Sequence, residues 1–411
     1  MRETKDSGLE WIGEIPAEWG LSKIGQVYRL RNTKVSDTDY PPLSVTNKGI
    51  VPQLDTAAKT NAHDDRKLVR KGDFAINSRS DRRGSCGISD YDGSVSLINT
   101  ILAPLGEMNP GYYDWLFHTV QFGDEFYKFG HGIVDDLWTT GWQDMKKITI
   151  PTPPLAEQRC IADFLDAKCA EFDALTADIQ IQIDTLEQYK RSVITETVTK
   201  GLNPDAEMKD SGIEWVGQMP LAWDAVPNKY LMYKVKNICP VYNGEDILSL
   251  TTNGVIIRDL NGGGKMPTSF DGYQKITPGN LLMCLFDIDV TPRCIGLVKN
   301  FGLTSPAYSQ FVMRTGAYAP YYYYYYLMVD YTKELLHMAK NLRHSLTEDQ
   351  LGAIKAPNPP YAEQVQIAEF LDKKCVEINR VIEDKNKQLA TLDEYKKSLI
   401  FEYVTGKKEV V

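Results

Sequence analysis

Long apolar runs are missing from this sequence, and so are the usual arrangements of cysteine. No apolar run approaches the ~20 residues that a transmembrane helix needs, and the opening MRETKDSGLEW lacks the apolar core of a signal peptide. The seven cysteines form no C-x-x-C pair, and an odd number without a framework is typical of reduced thiols. We therefore expect a cytoplasmic protein with no membrane partner and no disulfide scaffold.

Signatures of catalysis are also scarce. No nucleophile stands near a base, and no carboxylates are paired in the sequence. The stretch Gly262-Gly263-Gly264-Lys265 lacks the spacing and the final Ser or Thr of a phosphate loop, and it predicts a flexible turn. None of the histidines has metal-ligand spacing; they are His63, His118, His131, His337 and His344. We expect a binding protein without a metal site.

The formal net charge is −9, which argues against a simple nucleic-acid-binding domain, because such domains are usually basic. The charge is uneven, however. Between His63 and Arg83, seven lysines and arginines stand against four aspartates. A solvated loop and a loop that contacts nucleic acid both remain open from charge alone.

The segment from Pro154 to Gly201 predicts one long helix. Pro154 precedes the first turn, and Gly201 stands where a helix C-cap belongs. At ~1.5 Å per residue the helix would span roughly 65 Å, which is typical of a spacer between two objects. An apolar stripe recurs at steps of three and four, as in a coiled coil; it consists of Ile161, Leu165, Cys169, Phe172, Leu175, Ile179, Ile183, Leu186, Tyr189 and Val193.

The same helix occurs twice. Residues 360–405 align with the first helix without a gap after a shift of 206 positions. A Trp-rich motif, DSGLEWIGEIPAEW at 6–19, recurs as DSGIEWVGQMPLAW at 210–223. The chain is therefore a tandem duplication, in which each copy starts with the motif and ends with the helix, and we expect the two apolar stripes to pack on each other. The period is too long for a solenoid.

The middles of the two copies predict short strands and turns followed by a helix. Strand and turn patterns correspond between 43–52 and 248–259, and between 71–89 and 278–298. The tyrosine run within 321–339 has helical spacing, so a buried helix face is favoured over a ladder that stacks on bases. The middle segments differ in sequence far more than the Trp-rich motifs and long helices that flank them. This difference indicates one scaffold with two recognition surfaces.

Two short motifs resemble catalytic ones. Asn358-Pro359-Pro360-Tyr361 resembles the motif of methyltransferases that act on an amino group of adenine or cytosine. The equivalent Thr152-Pro153-Pro154-Leu155 lacks both the Asn and the aromatic residue, so both segments are interpreted as helix starts. Pro204-Asp205 with Glu207-x-Lys209 echoes a nuclease pattern, but the parts are contiguous in a linker.

The duplicated PPLAEQ-type helix start, the duplicated SGIEWVG-type motif and the divergent middles resemble the specificity subunit of type I restriction-modification systems over essentially all 411 residues. The resemblance implies an α+β fold: two tandem β-rich target-recognition domains separated by two long antiparallel helices, with an internal pseudo-twofold repeat. We expect the recognition domains at 1–153 and 203–356, a central spacer helix at 154–202 and a C-terminal spacer helix at 357–411.

The same resemblance implies partners. Each recognition domain would recognise one half-site of double-stranded DNA, and the helices would dock two methyltransferase subunits, with restriction subunits completing the complex. S-adenosylmethionine, ATP and Mg would belong to these partner subunits, and this chain would hold no cofactor and perform no catalysis. The alternative is a stand-alone tandem-domain DNA-binding regulator, which would bind tightly without partners.

Recognition of a DNA sequence needs donors and acceptors on loops, framed by residues that contact phosphate. In the first copy the candidates are Asn77, Ser78, Arg79, Ser80, Arg82 and Arg83, followed by His131 and Trp138. In the second copy they are Thr251, Thr252, Asn253, Arg258, Lys265 and Arg293, followed by Arg343 and His344.

Overall fold

A computed structural model describes residues 2–53, 63–132, 138–260, 267–339 and 344–410. The chain forms two compact units. Unit 1 comprises Met1–Ile179 and Asn386–Val411, and unit 2 comprises Gln180–Lys385. Each unit therefore combines a β-rich part with the beginning of one long helix and the end of the other. The described ranges include no helix both long and apolar enough to span a bilayer.

Unit 1 begins with short strands and helices and continues into a long helix, α5. Its elements are β1 (Thr4–Asp6), β2 (Glu14–Pro16), β3 (Gly20–Lys23), α1 (Ile24–Val27), β4 (Tyr28–Leu30), β5 (Lys34–Val35), β6 (Leu43–Thr46), β7 (Gly49–Pro52), β8 (Arg66–Val69), β9 (Phe74–Asn77), β10 (Cys86–Ile88), β11 (Gly93–Ser96), β12 (Asn99–Pro104), α2 (Pro110–Phe117), α3 (Val120–Lys128), α4 (Trp142–Met145), β13 (Thr149–Thr152) and α5 (Leu155–Lys200).

Unit 2 starts within α5 and ends within a second long helix, α8. Its elements are β14 (Met208–Asp210), β15 (Gln218–Pro220), β16 (Asp224–Pro227), β17 (Met232–Val235), β18 (Leu248–Thr251), β19 (Gly254–Ile257), β20 (Gln274–Ile276), β21 (Leu281–Met283), β22 (Ile295–Leu297), β23 (Gly302–Thr304), β24 (Ser309–Met313), α6 (Ala319–Tyr331), α7 (Glu348–Ala353), β25 (Lys355–Asn358) and α8 (Tyr361–Val404).

The sheets repeat between the two units, which confirms the internal duplication. Unit 1 contains an antiparallel sheet in the order β10-β9-β12-β4, and unit 2 contains β22-β21-β24-β17 in the same arrangement. The pairs β1–β2, β3–β13 and β6–β7 recur as β14–β15, β16–β25 and β18–β19. Buried side chains of α2 and α3 join the unit 1 core, and those of α6 join the unit 2 core.

The helices α5 and α8 run antiparallel where they touch within each unit. In unit 1 the rings of Phe164 and Tyr403 lie 4.4 Å apart, and those of Phe172 and Tyr395 lie 5.7 Å apart. Residue numbers increase along α5 while those of the contacting residues decrease along α8, so the two helices run in opposite directions. Unit 2 shows the same order in the hydrogen-bonded pairs Gln182 with Lys385 and Lys190 with Asn379. The predicted pair of long antiparallel helices is confirmed.

The apolar stripe of α5 is buried only in part. Ile161 and Leu165 are at most 1% exposed, whereas Leu175 and Tyr189 are 47% and 53% exposed. The assignment of these last two residues to a buried stripe is wrong. The beginning of α5 is covered by the β-rich core as well as by α8. Farther along α5, a side chain that does not face α8 is exposed to solvent. Gly201 ends the helix at φ +77°, as predicted.

The tyrosine run forms the buried face of α6. Tyr321, Tyr322 and Tyr325 are fully buried in the unit 2 core. Their hydroxyl groups find acceptors; that of Tyr321, for example, donates to the carbonyl of Val198 on α5 at 3.0 Å. The helix-face interpretation is therefore confirmed, and the base-stacking alternative is wrong for these buried rings.

Candidate nucleic-acid interface

The loop between β9 and β10, residues 77–85, contains most of the unit 1 candidates. It closes where the amide of Asn77 donates to the carbonyl of Ser85 at 2.8 Å. The side chain of Asn77 accepts from the amide of Arg79 at 3.1 Å, and the hydroxyl of Ser78 lies 2.9 Å from that of Thr100. Both side chains are at most 7% exposed. Asn77 and Ser78 thus support the loop from inside, and the surface is left to the arginines.

Arg79 and Arg82 lie on either side of a single carboxylate. Their Nε atoms are 3.8 Å and 3.7 Å from the side chain of Asp81, and their side chains are 38% and 68% exposed. Exposed ion pairs of this length contribute ~0–1 kcal/mol. Both guanidinium groups can therefore exchange Asp81 for a phosphate or a guanine edge at little cost. The side chain of the neighbouring Ser80 lies outside the described residues.

Arg83 closes one end of an apolar cavity. Its guanidinium lies 3.0 Å from Asp124 and 4.8 Å from the ring centroid of Tyr127, and the side chain is 62% exposed. The cavity below has a volume of about 290 Å³ and contains Cys86 among aromatic rings. Burial raises the pKa of Cys86 well above its usual value, so this thiol is neutral at physiological pH.

The second group of unit 1 candidates meets the same loop. The backbone of Thr139 pairs with that of His131 through two hydrogen bonds of 3.1 Å, and it also bridges to Arg79. His131 is exposed, and its Nε2 is 3.5 Å from the carboxylate of Asp144. Trp138 is half-buried beside this bridge. The structure therefore places His131 and Trp138 next to loop 77–85, so the two groups of candidates can form one surface.

The equivalent loop in unit 2 joins β21 to β22 and spans residues 284–294. It closes in the same way, because the amide of Cys284 donates to the carbonyl of Cys294 at 2.9 Å. Burial raises the pKa of Cys294 to about 12. This thiol therefore stays protonated and acts as part of the core.

A buried carboxylate anchors the base of loop 284–294. Asp330 is 8% exposed and accepts from the amide of Cys294 at 3.0 Å. The ammonium of Lys333 donates to Asp330 at 2.7 Å and to the carbonyl of Thr291 at 2.7 Å. Arg293 has its Nε 3.7 Å from Asp330, and its side chain is only 17% exposed. In this arrangement Arg293, a DNA-contact candidate, holds the loop in place.

His344 lies against the outer part of the same loop. Its Nδ1 is 2.8 Å from the carboxylate of Asp289, and its carbonyl accepts from the amide of Ile288 at 3.3 Å. The His344 hydrogen bond lowers the pKa of Asp289. The two groups of unit 2 candidates thus converge as those of unit 1 do. Lys265 and Arg343 lie outside the described residues.

The remaining unit 2 candidates belong to the hairpin β18–β19. Thr251 donates to the carbonyl of Gly254 at 3.0 Å and accepts from the amide of Asn253 at 3.2 Å. Thr252 and Asn253 form the exposed turn, and Gly254 at φ +94° completes it. Arg258 is half-buried at the end of β19.

Sequence reasoning missed a basic and aromatic surface beside the edge strand β17. Lys229 lies 5.1 Å from the ring of Tyr230, and Arg314 lies 5.1 Å from the ring of Tyr233. Both rings are exposed, by 63% and 43%. The alternation of lysine and tyrosine in NKYLMYKVK at 228–236 is a visible signal for this surface. Cations and rings of this kind contact phosphates and bases in nucleic-acid-binding proteins.

The methyltransferase-like tetrapeptide is a structural junction. The side-chain oxygen of Asn358 accepts from the hydroxyl of Tyr322 at 2.9 Å and from the side-chain Nε2 of Gln364 at 3.2 Å. Gln364 also donates to the carbonyl of Pro359 at 2.8 Å, and Gln158 donates equivalently to Pro153 at 2.8 Å. Both segments are helix starts, as interpreted from the repeat. The described residues contain no cluster of three or more potential metal-ligating side chains.

Comparisons with known proteins agree with this architecture. The family model of the type I restriction modification DNA specificity domain matches residues 16–185. The type I restriction enzyme MjaVIII specificity subunit of Methanocaldococcus jannaschii is 26% identical over 345 residues, 77% of this chain and 76% of the relative. The putative type I restriction enzyme MjaX specificity subunit of the same organism is 26% identical over 287 residues, 65% of this chain and 60% of the relative.

Two solved structures share the fold. A chain of a type I R-M system, studied for complex assembly and conformational transition, has a TM-score of 0.73 at 13% identity and covers 96% of this chain and 99% of its own. The HsdS subunit from Thermoanaerobacter tengcongensis has a TM-score of 0.50 at 16% identity, and the match covers 96% of this chain and 98% of that subunit.

The tandem units, the paired helices and the match of residues 16–185 to a DNA specificity domain support a protein that recognises DNA sequence. The chain is similar to the specificity subunits of type I restriction-modification systems, in the match of residues 16–185 to the specificity domain and in the relatives that align with most of its length.

Proposed function

We propose that each unit recognises one half-site of a split double-stranded DNA target and that α5 and α8 set the distance between the half-sites. The observation that carries this proposal is the repeated topology with different loops. Loop 77–85 and loop 284–294 join equivalent strands, and each meets a later segment of its own unit. One scaffold with two unlike loops suits two unlike half-sites.

The surface groups suit a division of labour between base and phosphate contacts. Phosphate contacts position a protein on DNA, and contacts to base edges in the major groove give specificity. In unit 1, Arg79 and Arg82 are exposed and only weakly paired. In unit 2, Lys229 and Arg314 lie over exposed tyrosine rings and suit the positioning role. The net charge of −9 is compatible with DNA binding if partner subunits neutralise further phosphates.

The chain acts without catalysis of its own in this proposal. Two methyltransferase subunits dock on the paired helices, one for each copy of the repeat, and restriction subunits join them. S-adenosylmethionine, ATP and Mg are held by those partners. The use of Asn358 as a half-buried acceptor at a helix start supports this assignment.

Methylation sequencing tests the proposal. The chain is combined with the methyltransferase subunits of its own system, and modified positions are mapped on DNA of mixed sequence. We expect two short sequence blocks separated by a gap of fixed length, and no methylation when the chain is omitted. A single continuous block, or an unchanged pattern without the chain, would contradict it. Gel filtration with and without those subunits separates the proposal from a stand-alone regulator, which would not co-elute with them.

A further inference from the structure

The two equivalent loops carry opposite charge at their tips. Loop 77–85 contains Arg79, Arg82 and Arg83. The outer part of loop 284–294 has the sequence Asp287-Ile288-Asp289-Val290, in which Asp289 and Val290 are exposed. Val290, at 73%, is the most exposed of the large apolar side chains in the described ranges. An exposed carboxylate beside an exposed pair of methyl groups thus occupies the position of the arginines in unit 1.

The cations near this tip are already engaged at the base of the loop. Lys333 and Arg293 both face Asp330, which is buried, at 2.7 Å and 3.7 Å. Withdrawing either cation would weaken the ion pairing of a buried carboxylate, which is unfavourable, and Lys333 also donates to the loop carbonyl of Thr291 at 2.7 Å. Both cations therefore fix the loop and are not free to contact phosphate.

Left-handed backbone converges on the same loop. Within the described ranges, the residues other than glycine with positive φ are Asp287 at 47°, Lys333 at 55° and His344 at 41°. Asp287 forms the turn itself, since its carbonyl accepts from the amides of Val290 and Thr291 at 3.2 Å and 2.9 Å. Lys333 and His344 contact the loop directly. Such backbone persists only where the surroundings enforce it, and it concentrates at functional sites.

A fixed carboxylate at a DNA surface selects among base edges. A phosphate would repel it, whereas the exocyclic amino groups of cytosine and adenine donate hydrogen bonds into the major groove. An apolar side chain in that groove contacts the methyl group of thymine. The hydrogen bond from His344 holds the carboxylate of Asp289 in place at 2.8 Å and lowers its pKa further below neutral pH.

We propose that Asp289 and Val290 determine the specificity of unit 2: Asp289 accepts a hydrogen bond from the exocyclic amino group of a cytosine or adenine, and Val290 packs against a thymine methyl group at an adjacent position. This inference rests on the proposed function, because it assumes that unit 2 recognises a half-site. It also gives the two half-sites different chemistry, since the arginines of unit 1 favour guanine.

The test compares Asp289→Asn and Val290→Ala with wild type in the reconstituted methyltransferase complex. We expect Asp289→Asn to lose discrimination at one position of one half-site by roughly tenfold to a hundredfold. The wild-type base at that position, cytosine or adenine, distinguishes the two donors. Glu214→Gln removes an exposed carboxylate from the same unit and is expected to change nothing. The unit 1 half-site should persist in all variants, which shows that they are folded and active.

A modified DNA target tests Val290. Replacing the thymine of the affected position by uracil removes only the methyl group. We expect this change to weaken methylation by wild type several-fold and to leave methylation by Val290→Ala unaffected. An unchanged motif in both variants would overturn the inference, and so would an equal loss at all sequences, since that indicates positioning instead of recognition. A wild-type complex without a two-block motif would overturn the proposed function and this inference with it.

Discussion

At the scale of single residues, the repeated tryptophans show what holds each β-rich part to a long helix. The indole of Trp19 donates to Glu157 at 2.9 Å, and the indole of Trp223 donates to Glu363 at the same distance. Both rings are at most 1% exposed. The duplicated motif is thus an anchor between a hairpin and the first turn of a helix, and this explains why it repeats where the loops do not.

Replacing Trp19 by Phe should lower the free energy of unfolding by ~1–3 kcal/mol, because a hydrogen bond to a charged, partly buried acceptor is lost. Trp115 is a matched control in the same unit, since this half-buried tryptophan donates to Asp166 at 2.8 Å in an exposed hydrogen bond. We expect Trp115→Phe to cost clearly less. Denaturant unfolding of both variants measures the difference, and equal losses would contradict the anchoring role.

Asn358 provides a second test at this scale. Asn358→Ala leaves the buried hydroxyl of Tyr322 without its best acceptor, at 2.9 Å, and should cost ~1–2 kcal/mol of stability. The target sequence methylated by the reconstituted complex should stay the same. The chain alone should transfer no methyl group from labelled S-adenosylmethionine to DNA. Transfer by the chain alone that disappears in Asn358→Ala would show that the tetrapeptide is catalytic.

The arginines of loop 77–85 supply the third test. Arg79→Ala should affect one half-site only, by ~1–3 kcal/mol at one position if the guanidinium contacts a base, and equally at all sequences if it contacts a phosphate. Arg83→Ala is the matched comparison, because the guanidinium of Arg83 lies 3.0 Å from Asp124, whereas that of Arg79 lies 3.8 Å from Asp81. Methylation sequencing of both variants gives the answer. Simultaneous relaxation of both half-sites would show that the units do not recognise DNA separately.

At the scale of elements, the apolar periodicity of the sequence predicted the long helices, whereas the conformations of the loops depend on tertiary contacts. A 46-residue helix with a sustained apolar stripe is determined locally, so its existence and its ends were predictable. The loops were not, since loop 284–294 depends on Asp330 and Lys333, which lie far along the chain. Positive charge in the sequence favours Arg293 as a DNA contact, whereas its 3.7 Å approach to the buried Asp330 could be seen only in the structure.

The burial pattern of α5 gives a prediction for two leucines of one helix. Leu165 is fully buried in the unit 1 core, whereas Leu175 is 47% exposed. Leu165→Ala should cost ~2–5 kcal/mol, because it removes buried apolar surface and leaves a cavity. Leu175→Ala should cost less than ~1 kcal/mol. The two values come from denaturant unfolding, and similar losses would mean that the apolar stripe is buried along its whole length after all.

At the scale of the whole molecule, the long helices are the proposed spacer between the two half-sites. Both helices pass from one compact unit into the other, near Ile179 in α5 and near Lys385 in α8. Their antiparallel contacts continue on each side of these points, as Phe172 with Tyr395 and Lys190 with Asn379 show. An insertion at the matched points therefore lengthens both helices without touching either loop.

The most direct test adds one heptad to each helix, after Gln180 and after Asn386, so that the apolar stripes keep their register. Seven residues add ~10 Å, and DNA rises ~3.4 Å per base pair. Because the groove also rotates with each pair, the gap between the half-sites should grow by about one to three base pairs. Methylation sequencing of the reconstituted complex should show this longer gap between unchanged half-sites. An active complex with an unchanged gap, or with altered half-site bases, would contradict the account.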